Sequence, residues 1–181
     1  MDESKGLLPD ERLAALAADE GTGAREVEAE LERYPDDPRL HFLLGSLLAS
    51  GQRYDEAREA MREAVQIAPD YRIARFQLGL LELSSGRPEA AEACWDALAG
   101  EDDSLALFAR GLRHLARDEF EPALSLLREG IARNRDHPAV NGNIQLIIDE
   151  TAAQAGPCDD DTPLSATQML LQQFAAKPTR H

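Results

Sequence analysis

The sequence predicts an all-α fold of antiparallel helix pairs stacked in tandem, and three observations predict it. First, sheet formers are scarce. Among 181 residues valine occurs only at positions 27, 65 and 140, and aromatics make up 5%, whereas strands favour branched and aromatic side chains. Second, the chain repeats itself. Gly45 returns as Gly79 after 34 residues and as Gly111 after 32 more, and Ala57, Ala91 and Ala123 keep both spacings. Four residues beyond each alanine stands a large apolar side chain: Met61, Trp95 or Leu127. Third, helix-breaking residues fall once per period, at Ser50-Gly51, Ser85-Gly86-Arg87-Pro88 and Arg117-Asp118. Small residues where two helices must approach, and large ones four positions on to fill the gap, are what a stack of hairpins requires.

Taken in order, Asp10–Glu20 and Gly23–Arg33 read as a degenerate helical pair closing at Pro35, in step with Pro69. Residues 1–37 hold twelve acidic and four basic side chains, as befits a solvated cap on the end of a stack. Helices follow at 39–50, 54–67, 71–84, 88–99, 104–116 and 120–133, with Pro88 in a first turn, where its missing N–H costs nothing. Asp102-Asp103-Ser104 reads as a helix start, since short oxygen-bearing side chains satisfy free N–H groups there. His137–Gln154 is a longer helix with Val140, Ile144, Ile147 and Ile148 on one face. The linker Gly156–Thr162 is acidic and carries both Gly and Pro, so it is not helical. After it, Thr162 as cap, Pro163 in the first turn and Pro178 as stop frame a short amphipathic helix with Leu164, Thr167, Leu171 and Phe174 on one side. Three regions result: 1–37, an acidic helical pair; 38–155, three repeats and a capping helix; 156–181, linker and tail.

These residues resemble the tetratricopeptide repeat, whose 34-residue pattern sets an aromatic, Leu-Gly, a second aromatic, Ala, a large apolar residue and Pro in order. Residues 38–71 match best, through Leu44, Gly45, Ala57, Met61, Ala64 and Pro69. Residues 72–103 keep Leu78, Gly79, Ala91 and Trp95, and residues 104–137 keep Gly111, Ala123 and Leu127 with Gly130 at the second small position. His41 and His114 stand where the pattern has aromatics, and read as packing residues in their place. The resemblance implies a right-handed superhelix, a TPR-like α-solenoid, whose first helices line a concave, peptide-binding face. Carried onto this chain, that face comprises Phe42, Ser46 and Ala49; Phe76, Leu80 and Leu83; and Phe108, Leu112 and Leu115. Three rings in phase could present roughly 450–750 Å² of apolar surface, more than monomers ordinarily expose. Either the rings tuck between helices or something covers them. Leu164, Leu171 and Phe174 of the tail helix are one candidate cover. The family's carboxylate clamp is absent, because Phe42, Ser46, Phe76, Leu105 and Ala109 stand at its positions.

The charge of −15 argues against nucleic acid or an anionic membrane as partner, since both attract clustered positive charge. The start MDESKGLLPDERLA lacks the basic and apolar regions of a secretory signal, and Leu43–Ala49 is too short to span a bilayer. Cys94 and Cys158 cannot make a disulfide framework, so a cytoplasmic protein is expected. Phosphate loops, paired Cys-x-x-Cys and His-Glu-x-x-His are missing, so neither cofactor, metal nor catalysis is expected. The expected function is a protein–protein interaction adaptor or scaffold binding an apolar peptide or helix. The alternatives are a secretion-type chaperone and a homo-oligomer formed through the tail helix.

Overall fold

The computed structural model describes residues 6–19 and 21–154, and all regular structure among them is helical. The helices are α1 (Asp10–Ala18), α2 (Ala24–Leu31), α3 (Pro38–Ser50), α4 (Tyr54–Ile67), α5 (Arg72–Ser84), α6 (Pro88–Asp96), α7 (Ser104–Leu115), α8 (Phe120–Arg133) and α9 (Pro138–Gln154). By contacts the chain divides into two units between Leu78 and Gly79, within α5. The tail helix expected beyond residue 162 lies outside the described residues.

In the first unit, α1 and α2 close over the start of α3. Leu8, Leu16, Val27 and Leu40 form the core there, with Leu13, Leu31, Tyr34, Leu43, Leu44 and Leu47 packed around them. One carboxylate holds this end together. Asp37, whose side chain has no exposed surface, accepts from the backbone N–H of Leu8 at 2.8 Å and of Arg39 at 3.0 Å. The Arg39 guanidinium donates to both Asp37 oxygens, to the Leu8 carbonyl and to Asp10. Asp37 is thus the N-cap of α3 and the anchor of the preceding segment at once, while Pro38 takes the first helical position.

The α3–α4 hairpin closes on a glycine. A Cβ at Gly45 would lie 2.8 Å from Met61 Cγ, so only hydrogen leaves room for the large residue of the second helix. In the second unit the same lock recurs twice, with Trp95 pressed onto Gly79 and Leu127 lying 2.8 Å from the position a Gly111 Cβ would take. The turns recur as faithfully. Gln52, Gly86 and Asp118 all have φ between 57° and 72°, and the N–H after each donates back to a carbonyl five residues earlier: Arg53 to Leu48, Arg87 to Glu82, Glu119 to His114. That is a Schellman closure, which ends a helix by satisfying carbonyls its next turn would have used.

Two differences from expectation have local causes. Helix α6 ends at Asp96 rather than 99, because Leu98 and Ala99 donate to carbonyls three residues back and the tighter turn carries Leu98 into the core. His41 and His114, both partly buried, do more than stand in for packed aromatics. Each bonds to a loop: the His41 ring lies 2.7 Å from the Pro35 carbonyl, and His114 pairs with Glu119. At the far end α9 buries Val140, Ile144, Ile147 and Ile148 and packs on α8. Asn134 fixes its start, accepting from Ser104 Oγ and His137 N and donating to Asn141.

Candidate functional site

Helix α3 carries the part of the inner face that stays open. Phe42, Ser46 and Ala49 fall on one side of it, three and four residues apart, and all three are partly exposed. Phe42 leans on Tyr71, the ring centroids 5.4 Å apart and the planes tilted by 55°. Burial beside that ring raises the Tyr71 hydroxyl above its ordinary pKa. The serines spend their hydroxyls on the helix itself: Ser46 Oγ donates to the Phe42 carbonyl at 2.9 Å and Ser50 Oγ to the Ser46 carbonyl at 3.0 Å. What remains on the surface is a benzyl edge, an engaged hydroxyl and a methyl, a face suited to apolar contact and not to proton transfer.

The other six inner positions are in the core. Phe76, Leu80, Leu83, Phe108, Leu112 and Leu115 are all buried, which corrects the expectation of three rings offered in a row. Of the two alternatives, tucking holds for Phe76 and Phe108, both 0% exposed. Gly130 explains the second. A Cβ there would stand 2.5 Å from Phe108 Cδ1, so the absent side chain on α8 is the socket for the ring. The first repeat has Ala64 at the corresponding place, and that difference was a sequence signal for the burial of Phe108 alone. The proposed tail contacts Leu164, Leu171 and Phe174 lie outside the described residues.

A concavity of about 420 Å³ runs along α6 and is lined by Pro88, Glu89, Glu92, Ala93 and Asp96. Arginines from α7 and from the turn that follows it neutralise much of it. Arg117 pairs with Glu92 at 2.7 Å, and Arg113 reaches both Asp96 and the Glu92 carbonyl. Near α8, Asp102 bridges Arg133 and Arg110, and those hydrogen bonds lower its pKa. These are surface ion pairs that fix helix ends. Among the described residues no group of three or more His, Cys, Asp or Glu side chains is placed to hold a metal ion, and no helix is long and apolar enough to cross a membrane.

Sequence reading missed the Asp37–Arg39 clasp. Its signal was present in Asp37-Pro38, a capping residue directly before a first-turn proline, but the anchoring of Leu8, 29 residues away, is a tertiary fact that no local pattern carries.

Comparison with known proteins agrees with the geometry. No curated protein matches the chain. Two sequence models, both of the tetratricopeptide repeat, match overlapping stretches, one over residues 13–72 and the other over residues 47–112. The matched stretches contain the Gly45–Met61 and Gly79–Trp95 locks and the first two Schellman turns, and repeats of this kind generally mediate protein–protein interaction. With its paired helices, its glycine locks and its recurrent turns, the chain belongs to the tetratricopeptide repeat family.

Proposed function

We propose that this protein is a non-catalytic interaction adaptor that takes an apolar peptide or short helix along the face of α3 carrying Phe42, Ser46 and Ala49. The observation that carries this reading is the division among the three in-phase rings: Phe76 and Phe108 are fully buried, while Phe42 keeps exposed surface. An aromatic edge held on a rigid helix, with small side chains one and two turns on, is the anchor-and-groove arrangement by which amphipathic helices are captured. The buried set of Phe76, Leu80, Leu83, Phe108, Leu112 and Leu115 then serves to hold α5 and α7 in place, not to touch the partner.

The test is a peptide selection against the purified protein, followed by titration of the selected sequences. Phe42→Glu should weaken them by about tenfold or more, on the order of 1.4 kcal/mol, with helical circular dichroism unchanged. Glu59→Arg, at an exposed position of α4, should leave binding as it was. Binding that survives Phe42→Glu would remove the site from α3. Selection of strongly acidic or basic peptides in place of apolar ones would contradict the chemistry proposed.

A further inference from the structure

The ends of the repeat stack differ in a way that capping alone does not explain. At the start, the exposed side of α1 and α2 is charged, with Asp10, Glu11, Arg12, Arg25, Glu26 and Glu28 all facing water. At the other end, α9 has no charged side chain from Pro138 to Ile148, although 29% of the whole chain is charged. Its open side carries Ala139, Gly142, Leu146 and Ala153, and Leu146 is 56% exposed. Gly142 adds a second irregularity. Gly45, Gly79, Gly111 and Gly130 sit inside helices because a large side chain occupies their Cβ space, yet nothing lies within 4 Å of the space above Gly142. A mid-helix glycine is unfavourable by roughly 0.5–1 kcal/mol against alanine, and nothing within the described fold calls for this one.

Register identifies the missing neighbour. Pro138 lies 34 residues after Ser104, so α9 starts where the first helix of a fourth unit would start. The earlier first helices α3 and α7 are each paired with the helix that follows, α4 and α8, but α9 has no successor among the described residues. Residues 163–176 are a later stretch of helix length, and they too contain no Asp, Glu, Lys or Arg. The eight residues between Gln154 and residue 163 can span at most about 26–29 Å, whereas a tight reversal needs far less.

We propose that residues 163–176 fold back as a helix antiparallel to α9 and cover its open side within the same chain. In an antiparallel pair the residue numbers of facing positions keep a constant sum. Gly142 with Phe174, Leu146 with Leu171, Asp149 with Thr167 and Ala153 with Leu164 keep it to within one. The largest tail ring thereby meets the vacant glycine, repeating the lock of Trp95 on Gly79. The carboxylate of Asp149, which accepts from the Gln145 side chain at 2.7 Å through one oxygen, faces a hydroxyl that can donate to the other. The two leucines meet one another, and Leu164 meets an alanine. The same side of the tail helix therefore matches the same side of α9 at four successive turns.

The full-length protein carrying Leu146→Cys and Leu171→Cys, with Cys94→Ala and Cys158→Ala, tests this directly under mild oxidation. An intramolecular disulfide should form in a monomer, read as a mass lower by two hydrogens and a faster band without reductant. The displaced pair Leu146→Cys with Leu164→Cys should form none. Amide exchange on the cysteine-free parent keeps the test independent of oxidation chemistry: Phe174→Ser should deprotect residues 142–153 while α3 and α4 stay unchanged. Three outcomes would overturn the proposal: crosslinked dimers, which assign the face to a second copy; equal crosslinking of the displaced pair; or α9 exchange indifferent to Phe174→Ser.

Discussion

At the scale of single residues, Asp37 is the clearest case of local chemistry fixing long-range structure. Burial pushes its carboxyl upward, but hydrogen bonds from the Arg39 side chain and from the Leu8 and Arg39 backbone, with the Arg39 charge, outweigh that and hold the pKa below its ordinary 3.8. The Asp37→Ala variant leaves the Leu8 N–H and the inner side of Arg39 without their acceptor, and should lower unfolding stability by about 2–3 kcal/mol, measured by urea titration. The sign of the pH effect follows from the depressed value. The ionised clasp contributes fully above the unfolded-state pKa and is lost as pH falls through the lower folded value. The stability gap between wild type and Asp37→Ala should hold steady at neutral pH and narrow below about pH 4; a gap that widens on acidification would rule the linkage out.

At the scale of elements, most of the fold was legible because each unit writes its own punctuation. The glycine, the alanine and the large apolar residue four positions on specify a hairpin from both sides. The helix boundaries follow from proline and turn residues that local rules can read. The left-handed turn residue was less visible, since only one of its three occurrences is glycine. Gln52→Gly and Asp118→Gly should each stabilise the protein by about 0.5–1 kcal/mol, because a side chain in that region costs about 1–2 kcal/mol and the added freedom of the unfolded glycine returns part of it. Gly86→Ala should destabilise by about 1 kcal/mol. Thermal unfolding of the three variants measures this, and a common sign for all three would contradict the shared turn. The candidate site was half legible. Periodicity placed Phe42, Phe76 and Phe108 in one phase, but it cannot tell a ring that faces solvent from one that meets a gap. That depends on the opposing helix, and only Gly130 hinted at it.

At the scale of the whole molecule, a stack of repeats adds its stability unit by unit and neighbour by neighbour, so each inner-face residue serves either cohesion or recognition. The surplus of 34 acidic over 19 basic side chains keeps the outside soluble and self-repelling, and leaves apolar contact to a few protected positions. Under the proposed function Phe42 is one such position, whereas the buried Phe76 and Phe108 belong to cohesion. The most direct measurement is equilibrium urea unfolding of three single variants under identical conditions. Phe76→Ala and Phe108→Ala should each lose about 3–5 kcal/mol, with Phe42→Ala losing only about 1 kcal/mol. Equal losses at all three positions, or a loss at Phe42 as large as at Phe108, would contradict the division between binding face and core.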